Sequence, residues 1–145
     1  MSYLVDTNIL LRLVHRVDPM HPYVHNACTV LQTQGEILCI MPQNLIEFWV
    51  VATRPTTVNG LGLTLTEALE ELSILKYVFQ LKPDTSTIFV EWEKLVEKYQ
   101  VMGKQVHDTR LVAAMIAHKL THLLTLNTKD FKRFSEITVI NPCSI

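Results

Sequence analysis

Short apolar runs at Ser2–Val5, Ile37–Ile40, His122–Thr125 and Thr138–Ile140 alternate with longer stretches of helical period, and no two of them are joined by a hairpin turn. Strands that succeed one another without hairpins must return through crossover helices. That makes their sheet parallel and the fold class α/β. The expected architecture is an α/β fold around a mostly parallel sheet of about four to five short strands, with Phe79-Gln80-Leu81 the candidate fifth. Residues 1–145 are enough for one domain with a proper core, and nothing in the composition argues for a second.

The stretches between the strands read as helices. Thr7-Asn8 can cap one through Ile9, Leu10, Leu11 and Leu13. Tyr23 to Gln34 carries Val24, Ala27, Cys28 and Leu31 at helical spacing before Gly35, with Pro19 and Pro22 in the preceding turn. Pro42 opens a helix whose apolar face is expected to be Leu45, Ile46, Trp49, Val50 and Ala52. Thr64-x-x-Glu67 is a capping box for a helix through Leu69, Leu72, Leu75 and Val78. Asp84 is the expected cap of a helix carrying Ile88, Trp92, Leu95, Val96 and Tyr99. Thr109 to Leu120 is apolar all round over Leu111–Ala117, which predicts a buried helix with Asp108 at its start. A short helix is expected near Lys129 to Phe134. Arg54 to Gly62 is the one long loop, expected to be the most mobile segment.

Composition excludes several classes. No apolar run approaches the ~20 residues of a membrane span. Met1-Ser2-Tyr3-Leu4-Val5-Asp6 has no basic stretch leading into a long apolar one, so no secretory leader is expected. Cys28, Cys39 and Cys143 are odd in number and never in a C-x-x-C arrangement, which suggests buried, reduced thiols and a cytoplasmic location. A net charge of −1 lends no support to nucleic-acid binding, which draws most of its affinity from neutralised phosphates. Support for such a function must come from a local site.

Ligands of an open parallel sheet bind beyond the carboxyl ends of its strands. Asp6 follows an apolar strand; it is equally readable as a helix N-cap. Glu47 is the only charge between Pro42 and Arg54, and a carboxylate in so apolar a helix needs compensation, unless Gln43, Asn44 and Glu47 form an exposed stripe. Asp108 opens the most hydrophobic helix, where an ordinary N-cap would look the same. Thr125-x-Asn127-x-x-Asp130 follows another strand and reads either as a site or as a plain turn. Such acids repel one another unless a cation lies among them, and oxygen-only ligation suits Mg²⁺ or Mn²⁺ rather than Zn²⁺.

Leu4-Val5-Asp6-Thr7-Asn8-Ile9-Leu10, Glu47 in its helix, His107-Asp108-x-x-Leu111-Val112-Ala113-Ala114 and Leu124-Thr125-x-Asn127-x-x-Asp130-Phe131 resemble the PIN domain, in the order and spacing of VapC-type toxin ribonucleases. The closing Ile140-Asn141-Pro142 is similar too, so the resemblance spans nearly the whole chain, residues 1–145 as a single PIN domain. It implies a three-layer α/β/α fold around that sheet, and metal ligation by Asp6 and Asp108, with Glu47 holding the metal or its water. Asn127 and Asp130 share the fourth acidic role, with an amide at the position where many relatives carry Asp. Thr7, Asn8 and Thr125 are implied to support the site by hydrogen bonds. The implied activity is Mg²⁺-dependent endonucleolytic cleavage of single-stranded RNA, with a small antitoxin and a second copy of the chain as partners.

Two other readings compete. Asp6 could be the covalent nucleophile of a phosphatase, although position 8, where a second carboxylate is usual, is Asn8. The chain could instead be a catalytically silent PIN-like interaction module. Arg12, His107 and Arg110 are candidate substrate contacts. His15, His21 and His25 are expected to be surface histidines, and Trp49 and Trp92 core or dimer contacts rather than base-stacking platforms.

Overall fold

The computed structural model describes residues 1–145. Five strands, β1 (Ser2–Val5), β2 (Ile37–Ile40), β3 (Gln80–Leu81), β4 (His122–Leu124) and β5 (Thr138–Ile140), form one sheet in the order β3-β2-β1-β4-β5. Every pairing is parallel. Seven helices connect them: α1 (Thr7–Val14), α2 (His21–Thr33), α3 (Pro42–Thr53), α4 (Leu65–Val78), α5 (Ser86–Tyr99), α6 (Val106–His118) and α7 (Thr128–Phe131).

The alternation of strand side chains splits the core in two. Tyr3 and Val5 of β1, Leu38 and Ile40 of β2 and Leu124 of β4 point to one face, against Ile9, Leu10, Val24, Phe48 and Leu75. Leu4, Cys39 and Leu123 point to the other, against Ile88, Leu95, Phe131 and the α6 run Leu111–Met115. The apolar-all-round character of α6 is thereby accounted for. The chain leaves β1 to build β2 and β3 on one side, then returns to build β4 and β5 on the other. The order therefore reverses between β1 and β4, which opens a crevice beyond their carboxyl ends.

Several local expectations are corrected. Asp6, not Thr7-Asn8, caps α1: its carboxylate accepts from the Thr7 amide. α2 begins at His21, with Pro22 inside its first turn, where a missing N–H costs nothing. Asp84 does not cap α5, whose N-cap is Thr85 without a side-chain bond; Asp84 instead pairs with Arg110. α6 starts two residues ahead of Asp108, which lies in its first turn. α7 ends at Phe131. The buried stripe of α3 is Asn44, Leu45, Phe48 and Ala52, while Ile46 and Val50 are exposed. In α4, Leu69 and Val78 are exposed and Ala68 and Leu75 buried. The Thr64/Glu67 capping box forms as expected. The Arg54–Gly62 loop contains a 3₁₀ turn at Thr56–Val58, and the Leu61, Gly62 and Leu63 amides bond back to Val51, Arg54 and Ala52. Of the three cysteines, Cys143 is exposed.

Candidate active site

Asp6 leaves β1 at the crevice and turns at once into α1. Its position is pinned by the backbone, because its amide donates to the Leu124 carbonyl at 3.0 Å. Its side chain is only 5% exposed. Oδ1 accepts from the Thr7 amide at 2.8 Å, and Oδ2 accepts from the Thr125 hydroxyl at 2.7 Å and the Asn8 amide at 3.2 Å. Asn8 also donates to Thr125 Oγ1 and accepts from the Leu126 amide, both at 3.2 Å. These bonds clamp the ends of β1 and β4 together around one carboxylate.

α3 delivers the second acid. Glu47 Oε1 accepts from the Thr7 hydroxyl at 2.9 Å and Oε2 from Gln43 Nε2 at 3.4 Å. Asn44, three residues before it, is fully buried; it donates to Thr7 Oγ1 at 3.2 Å and its oxygen accepts from the Met41 amide at 2.8 Å. The exposed-stripe reading of Gln43, Asn44 and Glu47 is thus corrected. Asn44 is a buried cap that holds Thr7, and Gln43 and Glu47 face the groove. Neither Gln43 nor Asn44 was expected to serve the site. The available signal was an uncharged amide one turn ahead of a lone carboxylate in an apolar helix.

Asp108 comes from the first turn of α6, and Asn127 from the turn after β4, where its amide donates to Thr125 Oγ1 at 3.0 Å. Asp6, Glu47, Asp108 and Asn127 line one open groove of about 730 Å³, together with Thr7, Asn8, His107 and an apolar flank that includes Ile46 and Val50. No lysine or arginine lines it. Asp130 is exposed and outside the lining, yet its charge is felt at both Asp6 and Asp108. Arg12 is held by Asp18 at 3.3 Å and does not reach the groove. Arg110 lies beside it, donating to Gln43 Oε1 at 3.0 Å and Asp84 at 3.2 Å.

The electrostatics follow from this uncompensated clustering. Burial pushes the Asp6 carboxyl from 3.8 up to about 6, against the opposing pull of the Thr125 and Thr7 hydrogen bonds, and Glu47 and Asp130 add to the rise. Asp108 is pushed up to about 7, by burial first and then by the charges of Asp6, Asp130 and Glu47. No three of the site's His, Cys, Asp or Glu side chains close into a ready-made cage. A cage is not what Mg²⁺ requires, since it keeps several waters and takes one or two carboxylates. An oxygen-only donor set of mutually repelling acids with no protein cation among them fits that ion.

The family model of the PIN domain matches residues 3–137, and the chain belongs to the PIN-domain family. Comparison with curated protein sequences finds no match. Among solved structures, VapBC2 from Rickettsia felis, bound to a DNA fragment from its promoter, superposes with a TM-score of 0.73 at 18% identity, covering 97% of this chain and 98% of that one. VapBC-1 from nontypeable Haemophilus influenzae gives 0.71 at 16% identity, covering 98% of each chain. VapC20 from Mycobacterium tuberculosis, a sarcin-ricin loop cleaving toxin, gives 0.67 at 18% identity over 94% of this chain and 98% of that one. The likeness establishes the shared α/β fold over the full length. No helix of this chain is long and apolar enough to cross a membrane.

Proposed function

We propose that this chain is a metal-dependent endoribonuclease that cleaves single-stranded RNA, and that it is the cytoplasmic toxin of a toxin–antitoxin pair. The observation that carries the reading is the convergence on one groove of Asp6 from β1, Glu47 from α3 and Asp108 from α6, without a neutralising cation. Asp6 and Asp108 would hold Mg²⁺ or Mn²⁺, and when bound the ion would activate water and offset charge on the phosphodiester oxygens. Glu47, steered by Thr7 and Gln43, would orient that water or take its proton. Water attack on phosphorus with loss of the O3′ leaving group gives a 5′-phosphate and a 3′-hydroxyl.

One of the solved structures of this fold is a toxin–antitoxin complex, which supports a small antitoxin as partner here; a homodimer belongs to the same proposal. The phosphatase alternative finds less support. Asn8, which stands where an acid is needed, is an amide committed to Asp6, Thr125 and Leu126. The test is incubation of purified, antitoxin-free protein with mixed single-stranded RNA in Mg²⁺, Mn²⁺ or EDTA, beside Asp108→Asn. Cleavage that needs metal and disappears in the variant is expected. Absence of cleavage by the folded protein across RNAs of varied sequence and structure would favour the silent interaction module instead.

A further inference from the structure

Beside the acidic groove lies a second cavity of about 330 Å³ between α5 and the start of α6, in the size range of pockets that hold small aromatic ligands. Its walls are Ile88, Phe89 and Trp92 of α5, and Val106, His107 and Arg110 of α6. Phe89 and Trp92 stand three residues apart, on one side of the helix. Their rings stack with centroids 5.6 Å apart and planes inclined by 25°. Trp92 is locked in place by its indole N–H, which donates to the Val106 carbonyl at 2.8 Å, whereas Phe89 is 61% exposed. A flat, preoriented aromatic surface with one open face is a stacking platform.

This cavity adjoins the acidic groove. His107 borders both, and it also borders a small depression between them walled by Gln43, Ile46, Asp84 and Arg110. The same side chains tie the two mechanically. Gln43 donates to Glu47 and to the His107 carbonyl, and accepts from Arg110. Arg110 is the cation at the junction. Its pair with the half-exposed Asp84 is of the weak surface kind, so the guanidinium can exchange Asp84 for a phosphate. Aromatic platform, cation and acidic groove in succession are the parts that single-stranded nucleic acid needs, since its bases stack and its phosphates pair with arginine.

Resting on the reading of the groove as an RNA-cleaving site, we infer that the Phe89/Trp92 cavity is a subsite for one unstacked nucleobase adjoining the scissile phosphate, with Arg110 contacting the backbone between them. Phe89 and Trp92 are then substrate-positioning residues. A contact with another protein would use the same exposed ring, but it gives no account of the narrow concavity or of the shared His107 and Arg110 junction.

The test measures binding of a labelled single-stranded RNA to Asp108→Asn protein in Mg²⁺, so that RNA is held and not cut, with Phe89→Ala or Phe89→Tyr added. Phe89→Ala should weaken binding about ten- to hundredfold and Phe89→Tyr should restore it, as lost and regained stacking. Because Phe89 is exposed, melting temperatures should agree within about 2 °C. Abasic substitutions walked along the RNA should find one position whose loss matches that of Phe89→Ala and does not add to it. Cleavage by otherwise wild-type protein is followed on the same RNA. Cleavage with Phe89→Ala leaving both KM and affinity unchanged would overturn the subsite alone. Unchanged RNA affinity with loss of self-association would assign the ring to a protein contact, and also overturn it. Absence of both cleavage and binding would remove the nuclease reading, and the subsite with it.

Discussion

Replacing Asp6 by Asn should abolish cleavage and yet stabilise the metal-free protein at neutral pH. In the folded chain the Asp6 carboxyl titrates at about 6 rather than 3.8, mainly because it is buried. At ~1.36 kcal/mol per tenfold change in proton affinity, its ionised form is disfavoured by roughly 3 kcal/mol relative to the unfolded chain. The folded state binds this proton more tightly, so stability falls as pH rises from about 4 to about 6, and the penalty is complete above that. Asp108, pushed up to about 7, acts in the same direction over a window reaching one pH step further. It is partly open to water, and discounting for solvent leaves it ~1–2 kcal/mol. The chelated wild type should therefore lose about 3–5 kcal/mol between pH 4.5 and pH 8. Asn at position 6 keeps an acceptor for the Thr7 amide and can donate to the Thr125 hydroxyl. It meets the Asn8 amide donor to donor, at a cost of ~1 kcal/mol. A net gain of ~2 kcal/mol at pH 8 corresponds to roughly 4–8 °C in Tm for a chain of this size. Thermal melts in EDTA across that pH range, repeated with Mg²⁺, check the prediction. Added Mg²⁺ should raise the wild-type Tm through linkage and leave the variant much less affected. A wild-type Tm that stays flat with pH, or a variant equally destabilised at pH 5 and pH 8, would refute the argument that burial and like-charge repulsion dominate this site.

Three further substitutions probe the remaining positions. Thr125→Val keeps shape but removes the hydroxyl that donates to Asp6 and accepts from Asn8 and the Asn127 amide; a loss of about 1–3 kcal/mol in urea melts is expected, with the rising limb of the activity–pH profile displaced upward. Asn127→Asp, which adds a carboxylate to the groove lining, should leave activity unchanged or raise it and tighten Mg²⁺ binding; a tenfold loss would mean that the amide donates to substrate. Asp130→Asn should weaken cleavage about tenfold and lower the Asp108 titration followed by NMR, because its charge is felt there; no change in either would leave Asp130 as a turn residue only.

The sheet and its direction were legible because parallel strands covered on both faces must be short apolar runs without hairpins, and four of the five lie where such runs occur; β3, two exposed residues at the sheet edge, carries only a weak signal. The acids that line the groove stood out as candidates because each follows a strand or starts or interrupts an apolar helix, although at Asp6 and Asp108 a helix cap reads the same. Helix faces were less so. Periodicity marks Ile46 and Val50 as apolar but cannot say that they flank a groove while Phe48 fills the core. The burial of Asn44 is hidden from the sequence for a related reason: it depends on Thr7 and Met41, one of them 37 residues away. Trp92 is expected from the sequence to be a core or dimer contact, and its ring is half-buried beside the second core cluster. Its second face shows only once α6 is in place, because the Val106 carbonyl orients the indole and His107 opens the cavity towards the groove.

Asp6 shows that capping a helix and lining the groove are not exclusive alternatives for one carboxylate. One oxygen accepts the Thr7 amide and so starts α1; the other accepts Thr125 and Asn8 and so fixes the turn after β4. A cap of this kind ordinarily stabilises by ~1 kcal/mol. Here the same carboxylate is buried at the crevice where strand order reverses, and Glu47 is brought towards it through the Thr7 side chain. Burial outweighs the capping gain, leaving a folded state with a higher affinity for protons than the unfolded one. A divalent cation can replace those protons and relieve the same repulsion. The clustered acids of the groove thus favour bound positive charge, which is what the metal of the proposed function would supply.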